Sequence, residues 1–191
     1  MAAPHKALAS GWAARLIADL AANDQAATRL ITGLTREQLN WQPAPGAWSA
    51  GQCIEHLRIT NEAYLPAIGA ALNSQPYCPV NEIRPGWFGA WFIRTLAEPL
   101  PTGKPAPAPK RIRPSDRVDH SVLDRFLSSN QSCQKVIIRA GDHDVNRVRF
   151  WNPFLPGLRL TVGTGMQIIV SHERRHLLQA ERVKDAAGFP R

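Results

Sequence analysis

Residues 161–187, TVGTGMQIIVSHERRHLLQAERVKDAA, predict one long amphipathic helix close to the end of the chain. Apolar residues at Ile169, Ala180 and Val183 recur at helical spacing and so share one face. Gly188 and Pro190 predict where this helix ends. Because an apolar helix face is stable only when it is buried against other elements, this stretch favours a helical bundle.

Three earlier stretches have the same spacing, at residues 7–34, 48–72 and 115–140. Ser49 and Gln52 match a capping box at the start of the second helix, and Pro66 is predicted to kink this helix without ending it. No convincing strand pattern accompanies the four helices. The sequence therefore predicts an all-α, four-helix bundle that forms a single domain over residues 1–191.

The connections between these helices differ in character. Residues 35–47 and 142–160 are predicted to be irregular. Residues 73–114 are rich in proline and predict a long connection between the second and third helices, interrupted by a short aromatic helix at 87–93. The aromatic segment Trp87–Phe92 is interpreted either as a cover for one end of the bundle or as a docking surface.

Charge and composition bear on two classes of protein, nucleic-acid-binding proteins and proteins that span a membrane. Lys and Arg number 23 against 15 Asp and Glu, a net charge of +8 over 191 residues. These positive residues are spread along the chain, so nucleic-acid binding is disfavoured and attraction of a small anionic substrate is the better hypothesis. No apolar run approaches the roughly 18 residues that a membrane span needs.

Cysteine usage and the beginning of the chain predict a cytoplasmic protein. The three cysteines are far apart and odd in number, which does not suit a disulfide framework. Arg15 and Asp19 interrupt the alanine-rich start, where a secretory signal would need an apolar core.

The last predicted helix carries His172-Glu173-Arg174-Arg175-His176. Histidines four residues apart lie one turn apart, so both rings can reach one metal ion. The alternative is two partly exposed histidines bonded to water or backbone. The pattern H-E-x-x-H is also that of zinc proteases, with Glu173 as general base, but the residues after His176 supply no third ligand of the expected kind.

His56 on the second predicted helix is the best candidate for a third ligand. It shares a stripe with Cys53, Thr60 and Tyr64 and so can face the bundle interior. A hydrogen-bonded core histidine is the alternative. Three imidazoles would leave coordination positions open for water or substrate, as in reactive metal sites.

Several segments in order resemble the DinB-like superfamily of metal-binding helical bundles. They are Trp48-Ser49, Glu55-His56-Leu57, the segment 149–154 and His172-x-x-x-His176-x-x-Gln179. The resemblance implies an up-down-down-up bundle, whose crossover would be the proline-rich connection. It also implies a divalent metal held by His56, His172 and His176, with nickel or zinc commonest and iron also found, and it implies a homodimer.

Members of this family with known chemistry include transferases that join low-molecular-weight thiols to electrophiles. The leading hypothesis is therefore a metal-dependent thiol S-transferase acting on small electrophilic molecules. The alternative is a non-catalytic metal- or ligand-binding stress-response module. No catalytic residue is assigned: Glu173 is expected either to orient a ligand ring or to face solvent, and Arg174 and Arg175 either to bind an anion or to be solvated.

Overall fold

The structure, a computed structural model, describes residues 11–97 and 109–191. The first residues of the first predicted helix, including Leu8, and the centre of the proline-rich connection, including Lys104, lie outside the described residues. The helices are α1 (Gly11–Ile31), α2 (Arg36–Asn40), α3 (Ala50–Leu72), α4 (Gly86–Phe92), α5 (Val122–Ala140) and α6 (Val162–Lys184). A π-helical turn (Ile93–Ala97) follows α4, and a 3-10 turn (Lys110–Ile112) precedes α5.

The long helices α1, α3, α5 and α6 match the four helical patterns in the sequence and pack against one another around two apolar clusters. One cluster surrounds Tyr64 and Ile168, and the other surrounds Ile54, Phe126 and Leu177. The expectation of a mainly helical four-helix bundle is confirmed. No helix of the described part of the chain is long and apolar enough to cross a membrane.

The start of α3 follows the predicted capping box. The backbone N–H of Gln52 donates to Ser49 Oγ at 3.1 Å, and the N–H of Ser49 donates to Gln52 Oε1 at 3.0 Å. Both side chains thus satisfy backbone donors that the first helical turn leaves free. As predicted, Pro66 does not end the helix, which continues to Leu72.

Two expected irregular segments contain regular structure. Residues 35–47 include α2, which begins with a Thr35–Gln38 capping box. Residues 142–160 were predicted to be a loop, and this was wrong in part: β1 (Arg149–Trp151) pairs antiparallel with β2 (Arg159–Thr161). Phe150 and Leu160 face the core while their neighbours face outward, an alternation too short to recognise in three-residue strands.

The third long helix begins at Val122, where the sequence predicted residue 115. The preceding backbone is held in another conformation, because Asn40 on α2 accepts from the N–H of Val118 and donates to its carbonyl. Asp119 accepts from the backbone N–H of Ser121. These local side-chain bonds compete with the helical ladder and delay its start.

Candidate metal centre

The structure brings the three sequence-predicted histidines together between α3 and α6. His56 lies on α3, two turns after the Ser49 cap, and His172 and His176 lie one turn apart on α6. Nε2 of His172 is 3.4 Å from Nε2 of His56 and 3.2 Å from Nε2 of His176, and the three nitrogens lie within 4.8 Å of one another. Ligands about 2.0–2.1 Å from a tetrahedral ion would be about 3.3 Å apart, so this spacing fits one metal ion.

The outward ring nitrogens of two histidines are held by acceptors. Nδ1 of His56 donates to the carbonyl of Ile112 at 2.7 Å, and Nδ1 of His176 donates to Gln179 Oε1 at 2.8 Å. Because each ring donates through Nδ1, its neutral tautomer leaves the Nε2 lone pair directed at the cluster. Sequence reasoning missed Ile112, whose carbonyl belongs to the short 3-10 turn, and it gave Gln179 no role.

Burial keeps the cluster uncharged. His56 and His176 are 1% and 9% exposed. Loss of solvation lowers the pKa of His56 to about 4, against the raising effect of the Ile112 carbonyl, and lowers the pKa of His176 to about 3. Burial and then the neighbouring rings also hold the pKa of His172 well below its usual range. Three neutral imidazoles with convergent lone pairs are a donor set suited to a divalent ion such as nickel or zinc.

Trp48 forms one wall of the cluster. Its ring centroid lies 4.7 Å from that of His56 and 5.7 Å from that of His176. His172 is partly exposed, whereas His56 and His176 are buried. Cys53, one turn before His56, is fully buried, and burial raises the pKa of its thiol; it is the core residue that the sequence favoured.

Glu173 occupies neither of its two expected positions. Its side chain is fully buried and its carboxylate accepts from the amides of Asn23, Asn61 and Asn130. Burial raises the pKa of Glu173 to about 7, although the three amides act in the opposite direction. A carboxylate enclosed in this way is not placed to act as the general base of a zinc protease. Sequence reasoning gave the three asparagines no role, because nothing in their local spacing shows that they share one carboxylate.

The remaining candidates lie at the edge of the cluster or away from it. Arg174 makes an ion pair with Asp19 on α1, with 3.7 Å between nitrogen and oxygen. Arg175 is half-buried, and its charge contributes to the low pKa values of His172 and His176. His120 and His143 bond to the backbone carbonyls of Leu34 and Pro76 and do not join the cluster.

The comparisons with known proteins agree with the helical-bundle fold. YfiT from Bacillus subtilis, described as a probable metal-dependent hydrolase with an unusual four-helix bundle topology, superposes with a TM-score of 0.62. The match covers 99% of this chain and 95% of that chain at 17% identity, and it shows a shared fold. No functionally curated protein matches the chain by sequence. The DinB superfamily model matches residues 19–180, and the chain therefore belongs to the DinB superfamily.

Proposed function

We propose that this protein is a metal-dependent S-transferase that joins a low-molecular-weight thiol to a small electrophile. His56, His172 and His176 would hold the divalent ion, with nickel or zinc preferred and iron as a third candidate. The observation that carries the proposal is the convergence of three uncharged imidazoles, two of them fixed through Nδ1 and the third partly exposed.

When bound, such an ion would lower the pKa of a thiol and so supply a sulfur nucleophile at neutral pH. The residues around it have separate tasks. The Ile112 carbonyl and Gln179 orient the rings of His56 and His176. Trp48 keeps water from one side of those two rings, which leaves the His172 side for the approach of the thiol and the electrophile.

Thiol transfer is favoured here over hydrolysis, the activity named for YfiT. Water attack on a carbonyl or amide is helped by a general base within hydrogen-bond reach of the water. Glu173, the carboxylate next to His172, is enclosed by amides, and within the described residues no carboxylate joins the three histidine nitrogens. A thiol has a much lower pKa than water and depends less on such a base.

The position of Arg175 supports the proposal that the substrate is negatively charged. It lies beside His176 in the chain, and its charge acts on both α6 histidines. Many small thiols carry carboxylates, which a guanidinium binds with charge-assisted hydrogen bonds. We therefore expect Arg175 to contribute to binding of the thiol substrate.

We also propose the up-down-down-up order, in which the proline-rich segment is the crossover. Contacts between the helices support it. The contacts of Asp19 with Arg174 and of Leu30 with Lys184 support a parallel α1 and α6. The contacts of Glu55 with Arg125 and of Gly69 with Arg139 support a parallel α3 and α5. The proximity of His56 to His176 and of Ile68 to Gly165 supports an antiparallel α3 and α6. A cytoplasmic homodimer remains part of the proposal, to be checked by fractionation and by gel filtration with light scattering.

The test is conjugation of glutathione, cysteine, bacillithiol and mycothiol to a fluorogenic electrophile. The protein is assayed as purified, after chelation, and after nickel or zinc is restored. We expect activity that disappears with chelation and in His56→Ala, and that persists in His120→Ala. Absence of activity with all four thiols, or full activity in His56→Ala, contradicts the proposal. Stoichiometric metal without conjugation would instead favour the non-catalytic metal-binding module.

A further inference from the structure

Glu173 is bonded to side chains from each of the other three long helices. Its Oε2 accepts from Asn23 on α1 at 2.9 Å and from Asn130 on α5 at 3.2 Å, and its Oε1 accepts from Asn61 on α3 at 3.0 Å. The side chains of Glu173 and Asn130 are fully buried, and that of Asn61 is 1% exposed. One carboxylate therefore connects all four long helices inside the bundle.

The asparagines are also bonded beyond Glu173. Asn61 donates to Asn130 Oδ1 at 2.8 Å, Asn130 donates to Asp24 Oδ1 at 2.7 Å, and Asn23 donates to the Val170 carbonyl at 3.2 Å. Each amide group is thus held in one orientation, with its nitrogen towards the carboxylate. Because the three donors lie on α1, α3 and α5, a rotation of α6 about its axis would lengthen at least one of these bonds.

Such a network is a poor way to gain stability alone. Apolar side chains of similar volume in place of buried charged and polar groups are often as stable or more stable, whereas a partly broken network is strongly destabilising. In some proteins a fully paired buried network also disfavours other packings of the same helices. The Glu173 network therefore restricts the rotation of α6 about its axis relative to α1, α3 and α5.

The rotation of α6 about its axis determines where the rings of His172 and His176 lie relative to His56. Glu173 follows His172 directly and precedes His176 by three residues, so one helical turn carries all three. A ring nitrogen lies about 7 Å from the helix axis, given a Cα radius of about 2.3 Å, and a 10° rotation of α6 moves it by about 1.2 Å. Metal–ligand distances tolerate only about 0.2 Å.

From this geometry we infer that Glu173 is a positioning residue for the metal centre. Its carboxylate, held by Asn23, Asn61 and Asn130, fixes the rotation of α6 at which His172 and His176 meet His56. The inference rests on the proposed binding of a divalent ion by these three histidines. It gives the glutamate of H-E-x-x-H a role other than general base, in which it touches neither the metal nor the substrate.

The test compares two variants of the whole chain. Glu173→Gln keeps the shape of the side chain but turns an amide donor towards the asparagine donors. Ile137→Ala opens the apolar core on α5, where Ile137 is buried away from the histidines. For each, the dissociation constant of Co²⁺, the visible Co²⁺ spectrum and the urea midpoint are measured at a temperature where circular dichroism shows the protein folded.

We expect Glu173→Gln to weaken Co²⁺ binding by about tenfold or more and to change its visible spectrum, as loss of an outer contact does at other metal sites. Ile137→Ala should lower the urea midpoint and leave both Co²⁺ readouts unchanged. The double variant Asn61→Asp/Glu173→Gln, which returns one carboxylate and one amide to the same contact, should recover part of the affinity. If Glu173→Gln does not fold, Asn23→Ala, which removes one donor, takes its place.

Three results would overturn the inference. They are unchanged Co²⁺ affinity and spectrum in the glutamate variant, equal loss of affinity in Ile137→Ala, and a double variant as weak as Glu173→Gln. Failure of the proposed metal site gives a different result, because the unsubstituted chain and His56→Ala would then bind Co²⁺ equally.

Discussion

Nε2 of His56 lies 3.4 Å from Nε2 of His172, although 116 residues separate them in the chain. Two lone pairs at this distance repel each other unless a proton or a cation lies between them. A single proton on His172 satisfies only one neighbour well, and His176 Nε2 is also 3.2 Å away. A divalent ion would satisfy all three nitrogens at once, and this contact is therefore the observation that favours a metal centre here.

Replacement of His56 by alanine should abolish tight metal binding. The variant leaves two ligands one turn apart, and we expect affinity to fall by more than the roughly 10- to 100-fold that loss of an outer partner causes. Elemental analysis after dialysis and competition with a chromophoric chelator measure the change. His120→Ala is the matched control, since His120 bonds to the Leu34 carbonyl away from the cluster. Equal metal content in both variants would contradict the assignment.

Acidification should destabilise the metal-free protein at pH values below 6.5. An unfolded chain protonates its histidines near pH 6.5, whereas His56 and His176 in the folded protein have pKa values of about 4 and about 3, and that of His172 is also strongly lowered. The unfolded state then binds more protons, so stability falls as pH falls, by about 1.4 kcal/mol per pH unit for each ring at most.

Glu173 acts in the opposite direction. Its pKa is raised from 4.5 to about 7, so its contribution is present at low pH and is lost as pH rises through 7. Three rings outweigh one carboxyl, and we expect the urea midpoint of chelator-treated protein to fall from pH 6.5 to pH 5. His56→Ala should reduce this slope. A midpoint independent of pH in the unsubstituted protein would show that the rings are not buried as neutral groups.

Gly165 is required for close packing of α6 against the strand β1. A Cβ at this position would lie 2.6 Å from two carbons of the Phe150 ring, so Gly165→Ala should destabilise the protein by about 1–3 kcal/mol. Gly69, on α3, has no atom within 4 Å of a Cβ position, and Gly69→Ala should stabilise by up to about 1 kcal/mol. Urea unfolding of the two variants measures both values. A stable Gly165→Ala protein would mean that Phe150 moves aside freely.

The parts of the fold and site that could be predicted from the sequence are those with local patterns. Helical spacing identified the four long helices, and the Ser49–Gln52 pair identified the start of α3. The i, i+4 spacing of His172 and His176 and the inward stripe of His56 made these residues candidate ligands, and the family resemblance implied that the three form one set. Each of these signals lies within a few turns of one helix.

The parts that could not be predicted depend on contacts between distant segments. Glu173 is bonded to residues 150, 112 and 43 positions away, and no local spacing reveals that they share a carboxylate. The Ile112 carbonyl reaches His56 from a proline-rich connection without periodicity. The strands β1 and β2 have three residues each and are too short for a recognisable alternation.

We expect Gln179 to increase metal affinity by holding the ring of His176 in place. Its Oε1 accepts from Nδ1 of His176 at 2.8 Å, which fixes the tautomer that presents Nε2 to the cluster. Gln179→Ala frees the ring to rotate and change tautomer, and we expect metal affinity to fall by about 10-fold while the helix stays folded. Gln179→Glu keeps an acceptor and should bind at least as tightly. The exposed Gln131→Ala on α5 is the matched control. A chelator competition that ranks Gln179→Ala with Gln131→Ala would mean that Trp48 and the neighbouring rings alone hold His176 in place.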